Sequence, residues 1–125
     1  MEPDNNNKLR VLVVEDEPII AVMLDEMLQE LGFVVAASVS KVDAALDAIA
    51  REDIDIALLD VNLGTEKIDP VADLLADRGC PFVFSTGYGQ AGAPPAHAHH
   101  AVVQKPFRAD DLATALRSEI ARKHG

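Results

Sequence analysis

Four short apolar runs in this chain each end in polar residues, and that repeated junction leaves few folds open. Val11 to Val14 lead into Glu15 and Asp16, Ile56 to Leu59 into Asp60, Phe82 to Phe84 into Ser85 and Thr86, and Val102–Val103 into Gln104, Lys105 and Pro106. Short runs without polar alternation are what strands buried on both faces require. If they are parallel strands, their polar ends emerge together at the carboxyl edge of one sheet, where open α/β folds place their sites.

The segments between the runs read as helices. Ile20, Leu24, Met27, Leu28 and Leu31 recur at spacings of three and four, with Pro18 fitting the first turn and Gly32 a C-terminal stop. Phe33 to Val39 is β-branched enough for a further strand. Ser40 and Asp43 then resemble a capping box for a helix carrying Val42, Ala45, Leu46 and Ile49. A third helix is expected from Pro70 to Arg78, ended by Gly79, and a last one from about Ala109, with Leu112, Ala115, Leu116 and Ile120 inward. Between Gly87 and Pro95 the glycines and prolines crowd where another crossover helix belongs, so a short or frayed helix is expected there. Strands alternating with helices imply right-handed crossovers and a central parallel sheet covered on both faces.

Length and charge bound the rest. The 125 residues accommodate one domain, expected over residues 9–125 behind a polar, disordered leader over residues 1–8. A net charge of −10 repels phosphate backbones and anionic lipid, which argues against nucleic-acid or membrane partners. The polar start Met1 to Asn7 gives no expectation of a signal peptide and no apolar run reaches membrane length, so the expected location is cytoplasmic. Cys80, the sole cysteine, reads as a small buried apolar residue, and His97, His99 and His100 as solvent-exposed loop residues.

The polar junctions would gather two acids, a lone aspartate, a hydroxyl and an ammonium into one cleft. That set suits a divalent cation and a phosphoryl group. In this order, and with these residues, the chain from Leu9 to Lys123 resembles response-regulator receiver domains. The resemblance implies a doubly wound, five-stranded parallel sheet of order 2-1-3-4-5, a flavodoxin-like α/β fold. It implies Asp60 as phosphoacceptor and Mg²⁺ as cofactor. The metal would be held by Glu15, Asp16, Asp60 and the Asn62 backbone carbonyl, with Asp16 a direct ligand and Glu15 acting through water. It further implies Thr86 and Lys105 as phosphoryl-binding residues, a cis bond before Pro106, and a histidine kinase or histidine phosphotransfer protein as donor, with output through a further protein.

One departure matters for switching. Where receivers usually carry an aromatic residue three positions before the lysine, this chain has Val102. Phe84-Ser85-Thr86-Gly87-Tyr88-Gly89 resembles the receiver subgroup reading Phe-Ala-Thr-Gly, which also lacks that ring. The switch region is therefore expected around Gly87, Tyr88, Gly89 and Val102. Two other readings stay open, a Mg²⁺-dependent aspartyl-phosphate phosphohydrolase and a phosphorylation-independent scaffold. The first expects a second aspartate two residues after the nucleophile, and Asn62, which stands there, delivers no proton. A nucleotide-binding module finds no phosphate-cradling glycine loop.

Overall fold

Residues 8–87 and 93–124 are described by the structure, a computed structural model. In chain order they form β1 (Arg10–Val14), α1 (Pro18–Glu30), β2 (Val34–Val39), α2 (Val42–Arg51), β3 (Ile56–Asp60), α3 (Asp69–Asp77), β4 (Phe82–Thr86), β5 (Val102–Gln104) and α4 (Ala109–His124). All strand pairs are parallel, and the sheet order is β2-β1-β3-β4-β5, the doubly wound arrangement.

Alternation along each strand builds two cores. Leu12, Val14, Ala57, Leu59, Phe82 and Phe84 pack with Ala45, Ile49, Val71 and Leu75 of α2 and α3. Val11, Val13, Ile56, Leu58, Val83 and Val103 pack on the other face with Leu24, Leu28, Leu112 and Leu116 of α1 and α4. Every residue of β3 is buried, so its sequence cannot alternate with polar residues until the sheet ends at Asp60. Each such leucine or phenylalanine contributes roughly 1.5–3 kcal/mol through burial.

Register fixes which ends meet. Val14 lies opposite Leu59, Asp60 opposite Ser85, and Thr86 opposite Gln104. One step further along each strand therefore brings Glu15, Asp60, Thr86 and Lys105 to a common edge. The chain leaves β1 toward β2 and returns to β3 on the other side, so Glu15 and Asp60 flank the point where the winding reverses.

Local chemistry sets the helix ends. Pro18 opens α1, and Gly32 (φ +93°) and Gly79 (φ +67°) turn the chain after α1 and α3 with backbone conformations other residues adopt at a cost. The expected Ser40–Asp43 capping box does not form. The N-cap position falls on Lys41, and the Val42 N–H donates instead to Glu66 Oε1, 3.2 Å away, from the β3–α3 loop. Cys80 is half-buried, its Sγ 3.6 Å from the Ile54 carbonyl oxygen.

The β4–β5 crossover differs most from expectation. Within its described residues the only helical element is a single 3₁₀ turn, Pro95–His97. Tyr88 and Gly89 of the expected switch region, and residues 1–7 of the expected leader, lie outside the described residues. The exposed-loop reading of the histidines is corrected for two of them: His97 is buried and His100 largely so, while His99 is exposed. The reason is the aromatic face of β4. The His100 ring stacks on Phe82 with centroids 4.0 Å apart, and His97 meets Phe82 edge-on at 5.4 Å.

Each imidazole also finds a carboxylate distant in sequence. His97 Nε2 is 2.8 Å from Asp73 Oδ1 on α3, and His100 Nδ1 is 2.8 Å from Glu119 Oε1 on α4. Buried Glu119 also accepts from the Ala101 N–H at 2.8 Å and from Arg122, whose guanidinium in turn reaches the His99 carbonyl. The crossover is thus tied to both helical layers. Among the described residues no helix is long and apolar enough to cross a membrane.

Burial holds the His100 imidazole below its ordinary 6.5, with smaller contributions downward from His99 and Arg122 that Glu119 opposes. A lowered imidazole means the unfolded chain takes up its proton first, so this contribution is complete above about pH 6.5 and is lost as pH falls. Thermal melts at about pH 7.5 and about pH 5.5 should show a smaller acid-induced drop in Tm for His100→Gln than for the parent chain, by a few degrees. Equal drops would assign the acid sensitivity elsewhere.

Candidate functional site

Asp60 is the centre of the carboxyl-edge cleft. It ends β3 almost completely buried, and its two oxygens have different partners. Oδ1 accepts the Asn62 N–H at 2.9 Å, a turn that folds the chain back over the carboxylate. Oδ2 accepts from Lys105 Nζ at 3.0 Å.

Lys105 arrives from the end of β5, where its backbone N–H donates to the Thr86 carbonyl at 2.8 Å. The Lys105–Pro106 peptide is cis. Its ammonium also lies 2.8 Å from Glu15 Oε1 and 3.8 Å from Glu17 Oε1. The Glu15 contact is an ion pair of poor direction, and Oε1 is left buried without a hydrogen bond. Glu15 Oε2 accepts the Glu17 N–H at 3.1 Å.

The electrostatics follow from crowding. Burial, the largest cause, pushes the Glu15 carboxyl up to about 7; Lys105 and the Glu17 N–H pull it down, and the charge of Asp60 raises it. For Lys105, burial alone would lower the ammonium, but Glu15 and Asp60 outweigh it and hold the group above its ordinary range. The cleft therefore carries more negative charge than one lysine balances.

That excess makes the donor set fit a hard divalent cation. Carboxylate oxygens of Glu15, Asp16 and Asp60 come within 4.8 Å of one another, Asp16 on the exposed side, and Glu15 Oε1 accepts no hydrogen bond although the Lys105 ammonium lies 2.8 Å from it. An oxygen-only donor set of this kind suits a hard cation over a soft one.

The residues expected from sequence divide clearly. Glu15, Asp16, Asp60 and Lys105 converge, and the Asn62 backbone N–H joins them. Thr86 is buried at the end of β4 beside Lys105, and Gly87 is half-buried at the start of the crossover. Val102 stands 42% exposed on edge strand β5, away from the cluster's contacts. Sequence reading missed Glu17 as a third carboxylate near Lys105, although it adjoins the acidic pair. It also missed Glu66, whose partner Val42 is 24 residues away and gives no local signal.

Comparison with known proteins points the same way. Residues 11–117 match the response regulator receiver domain. The solution structure of SdrG from Sphingomonas melonis Fr1 is 41% identical and superposes with a TM-score of 0.82, over 91% of this chain and 97% of that one. The BeF3-activated conformation of SdrG, from Pseudomonas melonis Fr1, is 42% identical with a TM-score of 0.77, over 91% of this chain and 98% of that one. The transcriptional regulatory protein PdtaR of Mycobacterium tuberculosis is 30% identical over 123 residues, 90% of this chain but 57% of its own length. The chain spans about half the length of the curated relatives it matches.

Removing the ammonium should leave two buried carboxylates facing each other. Lys105→Met is expected to destabilise the metal-free protein by roughly 3 kcal/mol, the cost typical of breaking a buried ion pair. Urea denaturation in the presence of a chelator measures it; an unchanged midpoint would mean the carboxylates are balanced by something other than Lys105.

Proposed function

The chain belongs to the response-regulator receiver family, and we propose that it accepts a phosphoryl group on Asp60 from a histidine kinase or histidine phosphotransfer protein and signals by protein contact. The observation that carries this reading is the placement of Asp60: buried at the reversal of the winding, oriented by the Asn62 N–H, and shared with Lys105 beside a converging acidic pair.

In the proposed reaction an Asp60 carboxylate oxygen bonds to phosphorus as the donor's bond to phosphorus breaks, the electron pair leaving with the donor. Glu15, Asp16, Asp60 and the Asn62 carbonyl are the proposed ligands of Mg²⁺. The bound ion supplies the positive charge that lets two anions approach.

Lys105, already 3.0 Å from Asp60, is placed to follow the new charge onto a phosphoryl oxygen. The Thr86 hydroxyl is the proposed second donor. Its backbone carbonyl is bonded to the Lys105 N–H, so the ends of β4 and β5 respond as a unit. Movement of Thr86 is then passed to Gly87 and the crossover, the proposed switch region in a chain whose Val102 supplies no ring.

Asn62, lacking an acidic proton, supports a long-lived aspartyl phosphate over turnover as a hydrolase. That SdrG has a BeF3-activated conformation supports the same chemistry here, since beryllofluoride mimics a phosphoryl group on a carboxylate. A protein donor is supported by exposed apolar residues on α1 beside the cleft: Ile19, Val22 and Met23 stand 77%, 59% and 45% exposed at helical spacing. The proposed location is cytoplasmic.

Incubation with acetyl phosphate and Mg²⁺, followed by intact-mass measurement, should add one phosphoryl group to the parent chain. Asp60→Asn, or a chelator, should abolish the addition. Labelling that persists in the mutant, or that needs no divalent cation, would defeat the assignment.

A further inference from the structure

Glu17 is the acid of the opening triplet that neither the fold nor the proposed metal set uses. As N-cap of α1 it contributes only backbone: its carbonyl accepts the Ala21 N–H at 2.9 Å, and its side chain makes no capping bond. The carboxylate is 63% exposed and lies 3.8 Å from Lys105 Nζ, its sole ion contact among the described residues. Lys105 is already held at 2.8 Å by Glu15 and at 3.0 Å by Asp60. Glu17 therefore adds negative charge on the solvent side of a cleft whose nearest cation is committed to two deeper carboxylates.

We infer that Glu17 determines donor specificity: its charge selects against small phosphodonors of high negative charge and favours those that bring a cation beside the phosphoryl group. The inference rests on Asp60 being the phosphoacceptor. Repulsion grows with the product of the charges, so a dianionic donor such as acetyl phosphate is opposed more than phosphoramidate, whose protonated nitrogen adjoins phosphorus. In both cases an Asp60 oxygen bonds to phosphorus while the leaving bond breaks. Acetate departs with the P–O pair in one, ammonia with the P–N pair in the other.

The test compares the full chain with Glu17→Gln, Glu17→Lys and Glu30→Gln, in saturating Mg²⁺, following the second-order rate of phosphorylation by intact mass. Glu30 is exposed at the other end of α1, about 20 Å along the helix, and controls for net charge alone. At low salt Glu17→Gln should speed labelling by acetyl phosphate about threefold to tenfold and by phosphoramidate less than about twofold, the gap closing at high salt. Glu17→Lys should widen the gap, and Glu30→Gln should leave both rates as in the parent. Equal acceleration for both donors, no acceleration, or the same effect from Glu30→Gln would overturn the inference. A parent chain that labels with neither donor would overturn the Asp60 reading itself, and the parent arm alone reveals that outcome.

Discussion

The ammonium of Lys105 is the interaction on which the carboxyl edge depends. Two buried carboxylates from different strands would repel each other strongly where water is scarce, and Lys105 bridges them at 2.8 and 3.0 Å. The bridge is long in sequence, joining the ends of β1, β3 and β5, and it closes only because the parallel register brings those ends level. Its compensation is incomplete. Glu15, Asp16, Glu17 and Asp60 gather around that single ammonium and Glu15 Oε1 accepts no hydrogen bond, so the pocket remains receptive to a cation.

Much of this was legible because buried parallel strands impose a pattern no surface element shares. Runs such as Ile56 to Leu59 have no polar residue until the sheet ends, so the first polar side chain marks the edge as well as the strand. The order of four such junctions then locates Asp60 and Lys105 without knowledge of a contact. The resemblance to receivers added which strands are neighbours.

What was not legible depends on partners far apart in the chain. His97 and His100 read as loop histidines since no acid is adjacent, yet Asp73 and Glu119 reach them from two helices while Phe82 supplies a ring to stack on. A helix with aliphatic residues would have left a periodic trace. A single 3₁₀ turn with imidazoles as its apolar cover leaves none. The capping of α2 failed as a sequence inference for a similar reason: Ser40 sits one residue too early, and the acceptor comes from a loop on another unit.

That borrowed cap has a mechanical corollary. Glu66 belongs to the loop that leaves Asp60 through Asn62, and its carboxylate secures the first turn of α2 on the neighbouring unit. Any rearrangement that drags this loop strips an acceptor from a helix start, a penalty on the order of 1 kcal/mol. The loop anchored at Asp60 and the start of α2 therefore share one hydrogen bond, so the stability of that helix start depends on where the loop lies.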